Sequence, residues 1–307
     1  MRVAVVGAGI AGIACARAVG RSGHEVVVLD RGRVPGGRMA SRRFHDRYVD
    51  LGASYFTVRD DAFTEVVEGW RAAGLAQPWT DRFAVWDGTL QEPRTGPTRW
   101  AGPGGLRSLV AALAEGLDVR QQVQVEHVTA GAVDGEPFDA VVLAMPDPQA
   151  LAVLDPSLTE EREVLAGRSW DPVLVLAARW GRRTWDWEGV FVQGSDVLDW
   201  VADDGARRGD RVPVLTAHST PGFARPRLAE PAAAADALVA ELGRLGVPAP
   251  DEVLRVQRWT YAKPVGERAA LFSLSSKGIG LCGDGWGAAR VETAWLSGTA
   301  LGQALSS

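Results

Sequence analysis

The chain has 307 residues, 46% of them hydrophobic, and its 33 basic and 38 acidic side chains leave a net charge of −5. This composition is typical of a globular chain of about two domains, and it excludes the strong basic field that attracts nucleic acid or acidic membranes. No apolar run approaches the ~20 residues of a membrane span, and residues 1–7 read as a strand rather than a secretion signal. We therefore expect a cytoplasmic protein with no membrane or nucleic-acid partner.

The first thirty residues predict a strand, a glycine turn, a helix and a second strand. Residues 2–6 are apolar and β-branched, residues 11–19 are small enough for a helix packed closely on a sheet, and the apolar run after Glu25 closes at Asp30. Near-continuous apolar strands in such a βαβ unit favour a parallel sheet that is covered on both faces.

The turn at residues 7–12 reads GAGIAG, the glycine pattern of dinucleotide-binding folds. Gly7 permits the tight turn, Gly9 lets the backbone approach a pyrophosphate, and Gly12 lets helix and strand pack closely. The pyrophosphate would lie at the helix N-terminus, where free N–H groups and the helix dipole favour negative charge. Asp30 is placed to hydrogen-bond ribose hydroxyls, which favours FAD or NAD over NADP.

The pattern changes beyond residue 60 and returns to a glycine-rich strand and a small-residue helix in the last thirty residues. Between them we predict helices at 60–74, 105–116 and 232–246, and strands within 79–100, 119–130, 138–146, 173–180 and 212–220. This order predicts a discontinuous Rossmann-type α/β domain of residues 1–60, 101–150 and 265–307. An α+β substrate domain on a mixed or antiparallel sheet, residues 61–100 and 151–264, interrupts it.

Two later motifs indicate which dinucleotide is bound. Residues 35–39 read PGGRM and residues 50–56 read DLGASYF. This pair resembles the FAD-dependent amine oxidase superfamily, and within it the renalase-like branch. The resemblance implies FAD on a domain of the glutathione-reductase-like, amine oxidase type. In that family the GGR loop runs beside the ribose and pyrophosphate, and the DLG segment lies close to the flavin.

Three further stretches resemble the same family: PGGL at 103–106, VVLAMP at 141–146, and LCGDGW with RVETAWLSG over 281–298. The resemblance implies that Asp284 binds the ribityl or pyrophosphate region and that a helix starting near Arg290 or Val291 points its N-terminus at the flavin pyrimidine ring. Together with the glycine turn it implies a predicted cofactor set of Gly7, Gly9, Ile10, Ala11, Gly12, Asp30, Arg31, Gly37, Arg38, Met39, Gly52, Ala53, Ser54, Val125, Ala144, Met145, Pro146, Gly283, Asp284, Arg290, Val291, Glu292 and Ala294. Over residues 150–250 the resemblance is weak.

Several other patterns are interpreted as carrying no chemistry. Residues 278–283 also spell GxGxxG, but the segment is itself an apolar strand and no acid-terminated second strand follows it. Cys15 and Cys282 lack metal-binding spacing and are expected to be reduced, so no metal site is predicted. In the monoamine oxidases the cysteine that binds flavin covalently lies well upstream of the C-terminal motif, whereas Cys282 lies within that motif, so the resemblance implies non-covalent FAD. Lys263 lies too close to the C-terminal motif to match the lysine of amine oxidases. The four histidines, His24, His45, His127 and His218, are interpreted as structural.

The substrate side is less defined by the sequence. Tyr55, Trp100, Trp170, Trp259 and Tyr261 are candidates to line a substrate cavity, with core packing as the alternative. The resemblance implies an oxidase that converts 2- or 6-dihydro isomers of NAD(P)H to NAD(P)+ and passes electrons to oxygen, forming hydrogen peroxide. A true amine oxidase and a flavin-dependent desaturase or isomerase remain open, as does the oligomeric state. The sequence shows no convincing acid–base pair, and a dihydropyridine, which already donates hydride readily, needs none.

Overall fold

A computed structural model describes all 307 residues. The strands, in chain order, are β1 (Arg2–Val6), β2 (Glu25–Asp30), β3 (Ser41–Phe44), β4 (Arg47–Asp50), β5 (Gln77–Trp86), β6 (Leu90–Ala101), β7 (Asp118–Gln121), β8 (Val128–Thr129), β9 (Ala132–Val133), β10 (Glu136–Pro137), β11 (Ala140–Leu143), β12 (Trp170–Arg179), β13 (Gly189–Val192), β14 (Leu198–Asp203), β15 (Val214–Ser219), β16 (Glu252–Pro264), β17 (Ser273–Leu274) and β18 (Ile279–Leu281).

The helices are α1 (Ile10–Arg21), α2 (Asp61–Ala72), α3 (Leu106–Ala114), α4 (Asp147–Val153), α5 (Thr159–Leu165), α6 (Asp204–Arg208), α7 (Pro221–Ala224), α8 (Ala235–Arg244) and α9 (Val291–Leu305). Short 3-10 turns lie at Gly37–Met39, Arg225–Arg227 and Pro231–Ala234. None of the helices combines the length and the apolar character that crossing a bilayer requires.

The first sheet has six strands in the order β17-β18-β11-β1-β2-β7. All neighbours are parallel except β17, which runs antiparallel to β18 at one edge. Val3 and Val5 of β1 pack into a core with α1, α3 and α9, whereas Ala4 and Val6 pack into a second core on the opposite face. Because both faces are covered, the strands are apolar along their whole length, and the predicted parallel sheet is confirmed.

The last helix, α9, packs against the first helix, α1. Gly298 of α9 lies so close to α1 that a Cβ atom there would be 1.9 Å from the carbonyl oxygen of Ala11. Leu301 of α9 and Ile13 of α1 are fully buried in the same core. The two ends of the chain therefore pack in one layer on the same face of the first sheet.

The second sheet has seven strands in the order β16-β12-β15-β14-β13-β5-β6. Only β13 and β5 pair in parallel, and all the other pairs are antiparallel. Leu174 and Leu176 of β12 and Leu215 of β15 pack against α8 on one face. This is the mixed sheet that the sequence predicts, and the predicted fold class, a Rossmann-like domain with an interleaved α+β part, is confirmed.

The packing of two helical segments differs from the predicted division into domains. Phe63, Val67 and Trp70 of α2 pack in the core of the first sheet, although residues 61–100 were assigned to the substrate domain. Leu158 and Leu165, at the two ends of the α5 segment, likewise pack with the first sheet and not with the second. An amphipathic helix shows which of its own faces is apolar but not which sheet that face covers, and this explains the difference.

A buried cluster of charges joins the second sheet to the segments of the first domain. Asp204 of α6 pairs with Arg207 and with Arg208 Nε at 2.9 Å, and Arg208 Nη2 reaches Asp50 Oδ2 at 3.1 Å. Arg207 Nη1 also donates to the carbonyl oxygen of Ser54 at 2.6 Å. Burial opposes ionisation of Asp204, but the guanidinium groups of Arg207 and Arg208 outweigh it and lower the pKa of the Asp204 carboxyl. The cluster ties α6 to the DLGAS segment.

Replacing Asp204 by alanine should strongly destabilise the protein, because it leaves two buried guanidinium groups without their shared partner. We expect a loss of about 3–5 kcal/mol in the free energy of unfolding, measured by urea denaturation at pH 7. The control is Asp171→Ala, which breaks the exposed pair between Asp171 and Arg225 and should cost less than about 1 kcal/mol. Equal losses in the two variants would contradict a structural role for the buried cluster.

Candidate functional site

A cavity of about 1560 Å³ lies between the two sheets. It is lined by the turns that follow β1, β2, β11 and β18 of the first sheet and by one face of the second sheet. Ligand pockets commonly measure about 300–1,000 Å³, so this cavity has room for a large cofactor together with a substrate. Its position at the carboxyl ends of parallel strands is the usual ligand-binding edge of an open α/β sheet.

The glycine turn forms one end of the cavity. Gly9 is the N-cap of α1, and no side chain caps this helix, so its first N–H groups remain available to an anion. Gly12 lies behind the lining, where a Cβ atom would be 1.9 Å from the carbonyl oxygen of Gly7. Next to Gly9 the space is open, with no atom within 4 Å of where a Cβ would stand. The turn therefore has the shape that a pyrophosphate requires.

Asp30 holds this turn in place. Its two carboxylate oxygens accept hydrogen bonds from the backbone N–H groups of Ala8 and Gly32, each at 2.6 Å. The side chain also lines the cavity. Because each carboxylate oxygen can accept more than one hydrogen bond, Asp30 can brace the loop and still receive a ribose hydroxyl.

Arg38 and Asp284 form a bidentate ion pair in the cavity wall. The guanidinium donates to the two carboxylate oxygens at 2.6 and 2.9 Å, and it also donates to the carbonyl oxygen of Ala262 at 3.1 Å. Its carbon lies 5.0 Å from the centre of the Trp170 ring. The pair joins the GGR loop, the C-terminal motif and β16, and this contact between distant motifs was not foreseen from the sequence.

Most of the predicted cofactor set lines this single cavity. The lining members are Gly7, Gly9, Ile10, Ala11, Asp30, Arg31, Gly37, Arg38, Met39, Gly52, Ala53, Ser54, Val125, Ala144, Met145, Pro146, Gly283, Asp284, Arg290, Val291 and Ala294.

Gly12 and Glu292 do not line it. Glu292 is buried, and its Oε1 accepts from the backbone N–H groups of Arg59 and Asp60 at 2.6 and 2.9 Å. Its role is to hold the start of α2 against the start of α9.

Four of the five aromatic candidates line the cavity: Tyr55, Trp170, Trp259 and Tyr261. Trp100 does not, because it stacks on Phe56 with ring centres 6.4 Å apart and packs against the core of the first sheet. Phe191 and Trp200 also line the cavity, and neither lies in a motif that predicts this position.

Tyr55 lies against Trp200, with ring centres 5.7 Å apart. Burial raises the pKa of the Tyr55 phenol, although Arg99 and Arg290 favour its ionised form.

His218, which the sequence analysis interprets as structural, also lines the cavity. Trp200 Nε1 donates to Ser54 Oγ at 3.1 Å, and Ser54 Oγ lies 3.3 Å from His218 Nε2. Since Ser54 Oγ accepts from the indole, its own hydrogen is available to the imidazole nitrogen. Burial, followed by the charges of Lys263 and Arg207, lowers the pKa of His218 to about 3.

The sequence did carry a signal for His218. In β15, Leu215 and Ala217 pack into the apolar core, and alternation along a strand places His218 on the opposite face. What the strand alone does not show is that this face borders a cavity rather than solvent.

Both cysteines are free and buried. Burial raises the pKa of Cys15 to about 12 and raises the pKa of Cys282 well above its usual value. Cys282 lies at the cavity wall, but a thiol held in its protonated form is a weak nucleophile.

Comparison with known proteins relates the chain to flavoproteins. Residues 5–70 match the NAD(P)-binding Rossmann-like domain, and residues 61–304 match the family of flavin-containing amine oxidoreductases. The family match implies a flavin cofactor, and the open glycine turn and the volume of the cavity fit one.

Three solved structures illustrate the shared fold. A protein assigned as a protoporphyrinogen oxidase from Exiguobacterium sp. 255-15 has a TM-score of 0.79 and 14% identity over 99% of this chain and 98% of that one. Cyclohexylamine oxidase from Brevibacterium oxydans IH-35A has a TM-score of 0.77 and 14% identity over 99% and 98%. A CLA-producing fatty acid isomerase from P. acnes has a TM-score of 0.76 and 14% identity over 98% and 97%. These similarities show the fold alone.

Replacing Gly9 by valine should abolish flavin retention while the protein still folds, because a Cβ atom there has no atom within 4 Å and the branched side chain fills the space at the helix N-terminus. The measurement is the ratio of flavin to protein absorbance after purification, with the melting temperature of the cofactor-free form as the test of folding. Gly69→Val in α2, which also has open space around it, is the matched control and should keep its flavin. A yellow Gly9→Val protein would remove the turn from the site.

The low pKa of His218 predicts a specific dependence of stability on pH. The unfolded chain protonates this histidine near pH 6.5, whereas the folded protein does so only near pH 3. Stability should therefore fall as the pH drops through this window, by at most about 1.4 kcal/mol per pH unit, and the term should vanish above pH 6.5. The free energy of unfolding is measured by urea denaturation at several pH values. Its decrease with falling pH should be smaller in His218→Asn than in the wild type, and His24→Asn is the control. Parallel curves for the wild type and His218→Asn would contradict the burial of a neutral imidazole.

Proposed function

Because this chain belongs to the family of flavin-containing amine oxidoreductases, we propose that it is a renalase-like oxidase with non-covalently bound FAD. Its substrates are the 2- and 6-dihydro isomers of NAD(P)H. Each turnover oxidises one dihydronicotinamide to NAD(P)+ and reduces one oxygen molecule to hydrogen peroxide, with a proton taken from solvent. A cytoplasmic location is part of the same proposal.

FAD as the specific flavin is supported by the two ends of the cavity. The glycine turn with Asp30 offers the contacts that a pyrophosphate and an adenosine ribose require. The Arg38–Asp284 pair and the start of α9 lie in the same lining, further along the cavity. A non-covalent cofactor is supported by the protonated, buried thiol of Cys282.

The observation that carries the proposed reaction is the lack of a free proton acceptor beside Tyr55, Trp200 and Trp259, the aromatic part of the cavity that we propose as its substrate half. His218, with a pKa of about 3, is a poor base near neutral pH. The carboxylate of Asp199, which also lines the cavity, is held by Lys263 at 3.0 Å. FAD supplies the hydride acceptor, and a dihydropyridine gives up its hydride without prior loss of a proton. The protein then needs only to bind the donor, orient it and exclude water from it.

The aromatic side chains suit this task. Tyr55, Trp200 and Trp259 give the cavity flat apolar walls against which a nicotinamide ring can lie. Orientation and exclusion of water supply most of the rate when no side chain takes part in the chemistry.

An amine oxidase is the second candidate, because the same aromatic walls could hold a neutral amine. An amine is mostly protonated in water, however, and Arg59, Arg99 and Arg290 line the cavity near its aromatic part. A cationic wall repels an ammonium group and attracts an anion. A desaturase or isomerase of a hydrophobic substrate is the third possibility, and it would need no oxygen.

The test is anaerobic stopped-flow absorbance of the holoenzyme mixed with equal concentrations of 2-dihydroNAD, 6-dihydroNAD, NADH, NADPH, benzylamine and putrescine. We expect the two isomers to bleach the flavin about 100-fold faster than NADH, because misplacing the donor carbon by about 1 Å costs that much. Admitting oxygen should then give one peroxide per substrate oxidised.

Two outcomes would overturn this proposal. Faster bleaching by either amine than by every dihydronicotinamide would establish the amine oxidase instead. No bleaching by any of the donors would point to the desaturase or isomerase.

A further inference from the structure

Three arginines in the substrate half of the cavity lack carboxylate partners. Arg59, Arg99 and Arg290 all line the cavity, and none of them joins an ion pair. The side chains of Arg59 and Arg290 are exposed at its rim and make no hydrogen bond to protein. Unpaired guanidinium groups that converge on a cavity are the usual recognition elements for phosphate and carboxylate groups.

The backbone brings these residues together from three distant segments. Phe56 and Trp100 pair through two backbone hydrogen bonds of 3.1 and 2.8 Å, which places Arg99 beside Tyr55. Glu292 accepts from the N–H of Arg59 and lies in the first turn of the helix that Arg290 precedes. These contacts fix the backbone from which the three arginine side chains extend.

Of the three arginines, Arg99 is the most buried, and its side chain makes the most contacts with the protein. It is half-buried, its guanidinium donates to the carbonyl oxygen of Asp81, and its carbon lies 4.2 Å from the centre of the Phe83 ring. Burial lowers the pKa of Arg99 in spite of the opposing charges of Tyr55 and Asp81.

No carboxylate near this group forms an ion pair with one of its guanidinium groups. Glu292 is directed at two backbone N–H groups, and Asp81 meets Arg99 through its carbonyl oxygen rather than through its carboxylate. Positive charge therefore accumulates here in a chain whose net charge is −5.

We infer that Arg59, Arg99 and Arg290 form a subsite that binds a phosphate group of the substrate. That the substrate is a nicotinamide nucleotide rests on the proposed function, whereas binding of the anion rests on the arginines alone. Arg99 is the fixed element, and the two rim arginines complete the contact when the ligand enters. The predicted role of Arg290 toward the cofactor concerns the backbone at the start of α9 and leaves its side chain available.

The subsite has a consequence for specificity. A substrate that carries a phosphate about one ribose away from its reacting ring gains charge-assisted hydrogen bonds that a nucleoside lacks. Binding should weaken as salt is added, because exposed arginines are screened by ions.

The experiment uses the FAD-loaded protein and two ligands that differ by one phosphate, nicotinamide mononucleotide and nicotinamide riboside. Their affinities are measured by perturbation of the flavin absorbance and by calorimetry. We expect the mononucleotide to bind at least about 10-fold more tightly to the wild type. Arg99→Gln and Arg59→Gln should each remove most of that difference without weakening the riboside.

Arg94→Gln is the matched control, since Arg94 is an unpaired, exposed arginine on the same strand as Arg99 but does not line the cavity. It should leave both affinities unchanged. Equal affinities of the two ligands for the wild type, or a difference that survives in the arginine variants, would overturn the subsite.

A second arm separates failure of the subsite from failure of the proposed function. If dihydronicotinamides do not bleach the flavin and neither nicotinamide ligand binds, inorganic pyrophosphate is titrated into the holoenzyme by calorimetry. Binding that Arg99→Gln weakens about 10-fold supports an anion subsite for a different substrate. No binding, or binding that is the same in the variant, contradicts it.

Discussion

The buried charges of Asp50, Asp204, Arg207 and Arg208 hold the two sheets around a common cavity. Charges removed from water are stable only where each has its partners in place, so the cluster tolerates few alternative arrangements. Through Arg207 it fixes the carbonyl of Ser54, and the hydroxyl of Ser54 in turn meets His218 and Trp200. The position of Ser54 in the cavity wall therefore depends on the buried ion pairs as well as on the packing of its loop.

A second connection closes the other end of the cavity. The Arg38–Asp284 pair joins a loop near the start of the chain to a motif near its end, and Arg38 also donates to the carbonyl oxygen of Ala262 in β16 of the second sheet. The close approach of α9 to α1 brings the same two regions together in the core.

The two ends of the cavity differ in chemistry. At one end, backbone N–H groups and Asp30 are arranged for a dinucleotide. At the other end, aromatic rings, a neutral imidazole and three unpaired arginines offer shape and positive charge but no strong base. This division agrees with a protein in which the cofactor supplies the chemistry and the polypeptide supplies binding, orientation and electrostatics.

The local sequence pattern predicted the glycine turn of the cofactor site, but it did not predict which residues line the substrate part of the cavity. A strand, a glycine turn, a helix and a terminal acid lie within thirty residues, and the steric requirements of such a turn can be read residue by residue. The residues that line the substrate part of the cavity follow no comparable sequence motif. Trp100 packs against the core of the first sheet, whereas Trp200, which is buried beside Phe83, also lines the cavity. Strand alternation defines two faces, and only the long-range packing of one sheet against another decides which face meets solvent, core or ligand.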